Sequence, residues 1–253
     1  MLKIIINGCC GKMGRVIARL ASENPEFEVV AGIDQNTCQC EFPVYKSLDD
    51  VKEAADVVID FSYHTAVPRL LKAAIDKNLP VVVATTGLDD EEINSVIEAS
   101  KYIPVFRSAN MSLGINVLLS LVKEAAKVLS NDFDIEILEM HHNMKKDSPS
   151  GTALLIADTI NKVLNDKKEY VYGRHSKTDL RDKNEIGIHA LRGGTVVGEH
   201  EVIFAGHDEI IKISHSARSR EIFGNGALFA AKFLVNQKPG LYDMESLVKK
   251  EKG

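Results

Sequence analysis

The sequence predicts an α/β chain in two parts: a parallel sheet with right-handed crossovers, then a second α+β domain with a mixed or antiparallel sheet. Three observations carry that reading. Up to about residue 112, short apolar runs alternate with amphipathic ones, the order of repeated βα units. The first apolar run leads directly into a glycine-rich turn, Gly8-Cys9-Cys10-Gly11-Lys12-Met13-Gly14. Beyond Gly114 the alternation stops, and later strand-like runs follow one another across glycine-containing turns.

Lys3–Asn7 reads as a buried strand, and Met13, Val16, Ile17 and Leu20 give the segment after the turn one apolar helix face. Phe27–Ile33 is a second strand, closing on Asp34. Strand, glycine turn, helix, strand and acid in this order are the context of a dinucleotide-binding fingerprint, so residues 1–112 are expected to form a Rossmann-type dinucleotide-binding domain. The spacing is Gly-x-x-Gly-x-x-Gly in place of the commoner Gly-x-Gly-x-x-Gly. Glycines permit a tight turn and close backbone approach to a pyrophosphate, and the helix start favours its charge. Gly8, Cys9, Cys10, Gly11, Lys12, Met13 and Gly14 are therefore the candidate phosphate loop. Asp34, about 20 residues further on, is placed to accept from a ribose hydroxyl.

The alternation continues through a strand at Val57–Phe61, a helix from about Thr65 to Lys77 and a strand at Val81–Ala84. Asp89-Asp90-Glu91-Glu92 resembles an acidic capping box opening a helix to about Ser100, and Ile103–Phe106 is a further strand. Ligands of parallel sheets sit beyond the carboxyl ends of strands. Ser62, Ala84-Thr85-Thr86 and Ser108-Ala109-Asn110-Met111-Ser112 all fall there, and together they are read as a nicotinamide-side wall.

In the second part, Ile115–Leu129 has the periodicity of a long helix and Asp134–Met140 that of a strand. Ala153, Ile156, Ala157, Ile160, Val163 and Leu164 then mark an amphipathic helix, with Pro149 suited to its first turn. Residues 165–185 are polar without clear periodicity, as in a mobile or disordered loop or an excursion towards a neighbouring subunit. Strand patterns follow at 186–191, 195–204 and 209–216, and a helix at 222–235. The expected division is 1–112 for the dinucleotide, 113–221 for substrate binding and oligomerisation, and 222–253 as a C-terminal helix returning to the first domain.

Composition narrows the function. The formal net charge is −5 and no basic run is present, which argues against wholesale nucleic-acid binding. No apolar stretch approaches a membrane span and no signal peptide precedes the first strand, so a cytoplasmic location is expected. Cys9, Cys10, Cys38 and Cys40 lack Cys-x₂-Cys spacing and a histidine partner, so they read as free thiols and no metal is expected.

The most chemically loaded stretch is Glu139-Met140-His141-His142-Asn143-Met144-Lys145-Lys146-Asp147-Ser148-Pro149-Ser150-Gly151-Thr152-Ala153. Side chains alternate along a strand, so His141 and His142 should face opposite ways if the strand reaches them. The amides of Ser150, Gly151 and Thr152 would lie unpaired at the positive end of the following helix, where an anion is favoured. Lysines and free amides at one loop point to a negatively charged substrate, while Lys146 reads as a solvated neighbour.

On these motifs, together with Gly198-Glu199-His200 and His215-x-Ala217-x-Ser219-Arg220, the whole chain resembles the dihydrodipicolinate reductases, also called 4-hydroxy-tetrahydrodipicolinate reductases, of lysine and diaminopimelate biosynthesis. Glycine fingerprints are widely shared; the His-His-Lys-Pro-Ser-Gly-Thr block is specific. The resemblance implies reduction of a conjugated cyclic imine bearing two carboxylates, by hydride from NADH or NADPH, to tetrahydrodipicolinate. It implies His141 as proton donor, Lys145 as its partner acid or charge stabiliser, and His142, Ser150, Gly151 and Thr152 as carboxylate contacts. It further implies a homotetramer built through the second domain's sheet.

Two departures bear on the coenzyme. Gln35 follows the ribose-binding acid, and Tyr63 follows the Asp-Phe strand end, where some members have arginines. Both remove a partner for a 2′-phosphate, so NADH is expected over NADPH, although Lys12 and Arg15 offer alternative charge. Two rivals are another two-domain NAD(P)-dependent dehydrogenase of an amino-acid precursor and a non-catalytic dinucleotide sensor. An aspartate-semialdehyde type would need a mid-chain cysteine, but all four lie before residue 41. A sensor would not need the His-His-Lys group.

Overall fold

The structure, a computed structural model, describes residues 1–250. Contacts divide the chain into two units, Met1–Leu113 with the segment from Glu221 onward, and Gly114–Arg220. In the first unit the order is β1 (Leu2–Asn7), α1 (Lys12–Ser22), β2 (Phe27–Ile33), β3 (Val44–Tyr45), β4 (Val57–Asp60), α2 (Val67–Asp76), β5 (Val81–Val83), α3 (Asp90–Ala99) and β6 (Pro104–Arg107). The second unit holds α4 (Leu113–Leu129), β7 (Asp134–His141), α5 (Gly151–Val163), β8 (Glu169–Tyr172), β9 (Glu185–Arg192), β10 (Gly198–Ala205) and β11 (Ile210–Ala217). The chain then returns to the first with α6 (Glu221–Leu234), β12 (Gly240–Tyr242) and α7 (Met244–Lys250).

The first unit's sheet runs β12-β6-β5-β4-β1-β2-β3, every pair parallel. Its central strands carry unbroken apolar runs, Ile4–Ile6, Val57–Ile59 and Val81–Val83, because both faces are covered. Ile4, Ile6, Val57, Ile59 and Val82 face one cluster with Ile17 of α1 and Ala227, Ala230 and Leu234 of α6. Ile5, Val58, Val81 and Val83 face the other, with Leu70 and Leu71 of α2 and Val96 of α3. Burying each such branched side chain contributes about 1.5–3 kcal/mol. At α3 the acidic box forms: the Asp89 side chain accepts from the Glu92 amide, and the Glu92 side chain accepts from the Asp89 amide.

The second sheet runs β11-β10-β7-β9-β8 and is mixed: β7 is parallel to β9 and antiparallel to β10. Buried positions alternate strictly along β7. Ile135 and Ile137 pack with Val122 of α4 and Ile156 and Ile160 of α5, and the same parity carries Glu139 and His141 inwards. The segment 165–185 contains β8, paired in parallel with β9, where no strand was expected. Its core residue is Tyr170, whose hydroxyl donates to Asp158, and four residues give too short a window for periodicity to register.

Candidate active site

In the second unit, β7 ends at His141, so His142 lies just beyond it. Glu139 is fully buried and accepts both Nη groups of Arg192 at 2.9 Å, the Ser150 amide at 3.0 Å and His141 Nδ1 at 2.6 Å. Burial alone would raise its carboxyl, but the hydrogen bonds from Arg192, His141 and Ser150 outweigh it and hold Glu139 below the usual range. With Nδ1 so engaged, Nε2 is the atom of His141 left to meet a ligand.

Register assembles this group. β7 and β9 place His141 beside Arg192, and β7 and β10 place Glu139 beside His200. Ser150 is the N-cap of α5: its Oγ accepts from the Ala153 amide and shares a hydrogen bond with His200 Nε2 at 3.1 Å. His200 is pushed down to about 4, chiefly by burial and then by His141. It is therefore neutral at pH 7, and neither its Nδ1 nor His142 Nδ1 has a hydrogen-bond partner among the described residues. Lys145 Nζ pairs with Asp147 at 2.9 Å, and Lys146 is exposed as expected.

Two expectations change. The Ser150 amide is not free, because Glu139 takes it. Pro149 precedes the cap instead of entering the first turn. The sequence motifs give no role to Arg192, His200 or Glu139, all three of which the structure places in this group. The β7 alternation could have found Glu139; Arg192 and His200 arrive by sheet register, which the sequence does not display.

In the first unit, the glycine turn leaves β1 and enters α1. Gly8 has φ +81°, and a Cβ on it would lie 2.5 Å from the Phe61 carbonyl oxygen. One on Gly14 would lie 2.2 Å from the Gly8 carbonyl oxygen. Gly11 caps α1 without a side chain, so the first-turn amides of Lys12, Met13 and Gly14 face outwards for an anion. Cys10 N donates to Asp34 Oδ2 at 3.0 Å and Asn36 N to Oδ1 at 2.8 Å. A pocket of about 400 Å³ is lined by Gly8, Cys10, Gly11 and Asp34, with Lys46 and Arg69 among the remaining walls. A turn that only glycine fits, an uncapped helix start, an acid and a pocket of this size suit a dinucleotide.

The wall beyond the strand ends is organised by a residue the sequence reading passed over. Asp60 is fully buried at the end of β4 and accepts from Asn7 at 2.7 Å, Ser62 Oγ at 2.6 Å and Thr85 Oγ1 at 2.7 Å. Burial raises its carboxyl against those donors. Ala84 is buried beside Thr85, Thr86 and Ala109 are exposed, and Met111 belongs to the core. Ser108 Oγ donates to the Asn110 carbonyl at 2.8 Å, and the Asn110 side chain accepts from the Ser112 amide at 2.9 Å.

The cysteines correct a further expectation. Cys10 and Cys38 form a disulfide with Cα atoms 5.6 Å apart, while Cys9 and Cys40 are free. β1 and β2 are parallel neighbours, so the loops leaving their ends lie side by side despite their separation in sequence.

Residues 2–111 match the family described as dihydrodipicolinate reductase, N-terminus, and residues 114–248 match dihydrodipicolinate reductase, C-terminus. The 4-hydroxy-tetrahydrodipicolinate reductase of Caldanaerobacter subterraneus subsp. tengcongensis is 71% identical over 250 residues, covering 99% of both chains. That of Clostridium tetani is 50% identical over 251 residues, covering 98% of this chain and 97% of its own. Among solved structures, a dipicolinate-bound dihydrodipicolinate reductase from Paenisporosarcina sp. TG-14 superposes with a TM-score of 0.83 at 24% identity, over 96% of this chain and 97% of that one, a likeness of fold.

Proposed function

The chain belongs to the dihydrodipicolinate reductase family, and we infer from that membership and from the geometry how its residues divide the work of one reduction. It is an NAD(P)H-dependent oxidoreductase of lysine and diaminopimelate biosynthesis. It reduces the conjugated cyclic imine derived from 4-hydroxy-tetrahydrodipicolinate to tetrahydrodipicolinate. We propose that the first unit binds the dinucleotide and the second binds the substrate.

A bound reduced nicotinamide supplies a hydride; a proton must then reach the resulting enamine. His141 is assigned that proton. Glu139 takes Nδ1, fixing the ring, and Nε2 delivers the proton. Lys145 exchanges its pairing with Asp147 for a substrate carboxylate or developing charge. Gly151 and Thr152, at the start of α5, are assigned to a substrate carboxylate, with His142 as a further contact and Ser150 as the cap that shapes the turn. The observation that carries this reading is the buried Arg192–Glu139–His141 chain on β7 and β9, adjoining the Ser150–Thr152 turn. The test is consumption of NADH or NADPH with the dihydrodipicolinate-synthase product as substrate; no consumption of either by folded protein rejects it.

The inferred coenzyme preference is NADH, supported by Asp34 in the pocket and by Gln35 and Tyr63 in place of arginines. A second reading, NADPH, is favoured by Lys46 and Arg69 on the same pocket. A kcat/KM for NADPH above that for NADH, lost in Lys46→Ala, decides for the second. We further propose a cytoplasmic homotetramer joined through the second sheet. Exposed Ile210, Ile211, Leu191 and Tyr172 on its strands support the assembly, and light scattering that returns a monomer mass rejects it. Among the described residues no helix is long and apolar enough to cross a membrane.

A further inference from the structure

All four cysteines of the chain converge at one place, beside the dinucleotide pocket. Cys10 lines that pocket and is bonded to Cys38; Cys40 Sγ lies 3.5 Å from Cys38 Sγ. The sulfurs of Cys9, Cys38 and Cys40 lie within 4.8 Å of one another, and so do the ligand atoms of Cys9, Cys10 and Asp34. The bond ties the glycine turn to residues 34–43, a loop without helix or strand. Otherwise the loop's start is held by polar contacts: Cys10 N and Asn36 N on Asp34, Gln35 Nε2 on the Lys46 carbonyl, and Lys46 Nζ on the Gln35 carbonyl.

We propose that the Cys10–Cys38 pair is a reversible thiol–disulfide site that clamps the dinucleotide pocket, with Cys40 as the thiol through which it exchanges. This rests on assigning that pocket to the dinucleotide. In the oxidised form the bond holds Asp34 against the glycine turn, so less loop ordering is left for binding. In the reduced form the loop recovers its freedom and the coenzyme binds more weakly. Disulfides in a reducing compartment are characteristically transient and redox-responsive, which fits the proposed location.

Opening is balanced by a dithiol reductant: its two thiols become a disulfide as Cys10 and Cys38 become thiols. Internally, the Cys40 thiolate attacks Cys38 Sγ, forming a Cys38–Cys40 bond. Cys10 leaves as a thiolate and takes up the proton Cys40 released. Exchange needs a thiolate within reach of a disulfide sulfur, which Cys40 has by position. Cys9 is 1% exposed and its thiol is pushed up to about 12, first by burial and then by Cys40 and Asp34, which makes it the inert member.

The test uses full-length protein purified without reductant. Denatured thiol titration should find two thiols, and four after reduction. The NADH dissociation constant, read by fluorescence, should rise about five-fold on reduction, the scale of ordering one or two loop side chains. Cys38→Ser should show the weaker affinity and no response to oxidant, and Cys40→Ser should keep the bond but exchange with a dithiol more slowly. Four thiols before reduction, or a cobalt–thiolate absorption band requiring all four, overturns the proposal in favour of free thiols or a metal centre. Equal NADH affinity in both states overturns the clamp and leaves the dinucleotide assignment standing. No NADH binding in either state removes both.

Discussion

Glu139 Oε2 sits 2.6 Å from Nδ1 of His141, two residues along the same strand and on its same buried face. The carboxylate is held in turn by both arms of Arg192. Glu139→Gln keeps the shape, but in either orientation its NH₂ group meets one arm of Arg192, together with the Ser150 amide or His141 Nδ1. The expected result is a kcat lower by about 10–10²-fold with the NADH dissociation constant unchanged. Steady-state kinetics beside a binding isotherm checks it; loss of NADH affinity would mean that the whole chain, not the proton donor, was disturbed.

His141→Gln should lower kcat by roughly 10²-fold or more with little change in KM, as for loss of a general acid. Lys145→Ala should damage both constants, because its charge meets substrate before and during the reaction. Wild-type turnover in the His141 variant removes its assigned role.

The sequence displayed the first unit well because βα alternation and a glycine turn are local signals. Ile4–Ile6, Val57–Ile59 and Asp89–Glu92 each form the element their pattern implies. The His141–Thr152 block was equally visible, since its residues are adjacent. What stayed hidden came from pairing. Arg192 and His200 reach Glu139 only through the register of β9 and β10, and Cys38 reaches Cys10 only because β1 and β2 run in parallel. Asp60 was hidden differently. It stands at the end of an apolar strand like any polar stop, and its burial follows from the donors that surround it.

His200 gives stability a pH dependence. Its folded value of about 4 lies below the ordinary histidine value of 6.5, so the unfolded chain binds more protons between those limits. The contribution is complete above about pH 6.5 and is lost as pH falls towards 4, on the order of 3 kcal/mol at most. The lowered Glu139 carboxyl acts in the same direction. Thermal unfolding between pH 7 and pH 4.5 should fall more steeply for the wild type than for His200→Gln; parallel curves would refute the assignment.

Asp60→Ala leaves the Asn7 amide and the Thr85 hydroxyl without their acceptor in a site closed to water. A loss of about 2–4 kcal/mol in urea unfolding is expected. Asp60→Asn, which retains an acceptor and the volume, should recover most of it. Equal losses in the two variants would show that volume rather than hydrogen bonding matters there.

The sheet edge at β6 is covered by β12, and the α1 face of that sheet is closed by α6, both contributed by the last stretch of chain. On α6, Gly226 passes so near Met111 that a Cβ would lie 1.7 Å from its carbonyl oxygen. The amino-terminal half therefore cannot finish folding when it leaves the ribosome. It must wait for residues 114–220 to be made, roughly 5–20 s at ordinary elongation rates. During that interval an apolar sheet face and an open strand edge are bare, which makes the nascent chain a client for a holding chaperone. A fragment ending at residue 113 should be insoluble.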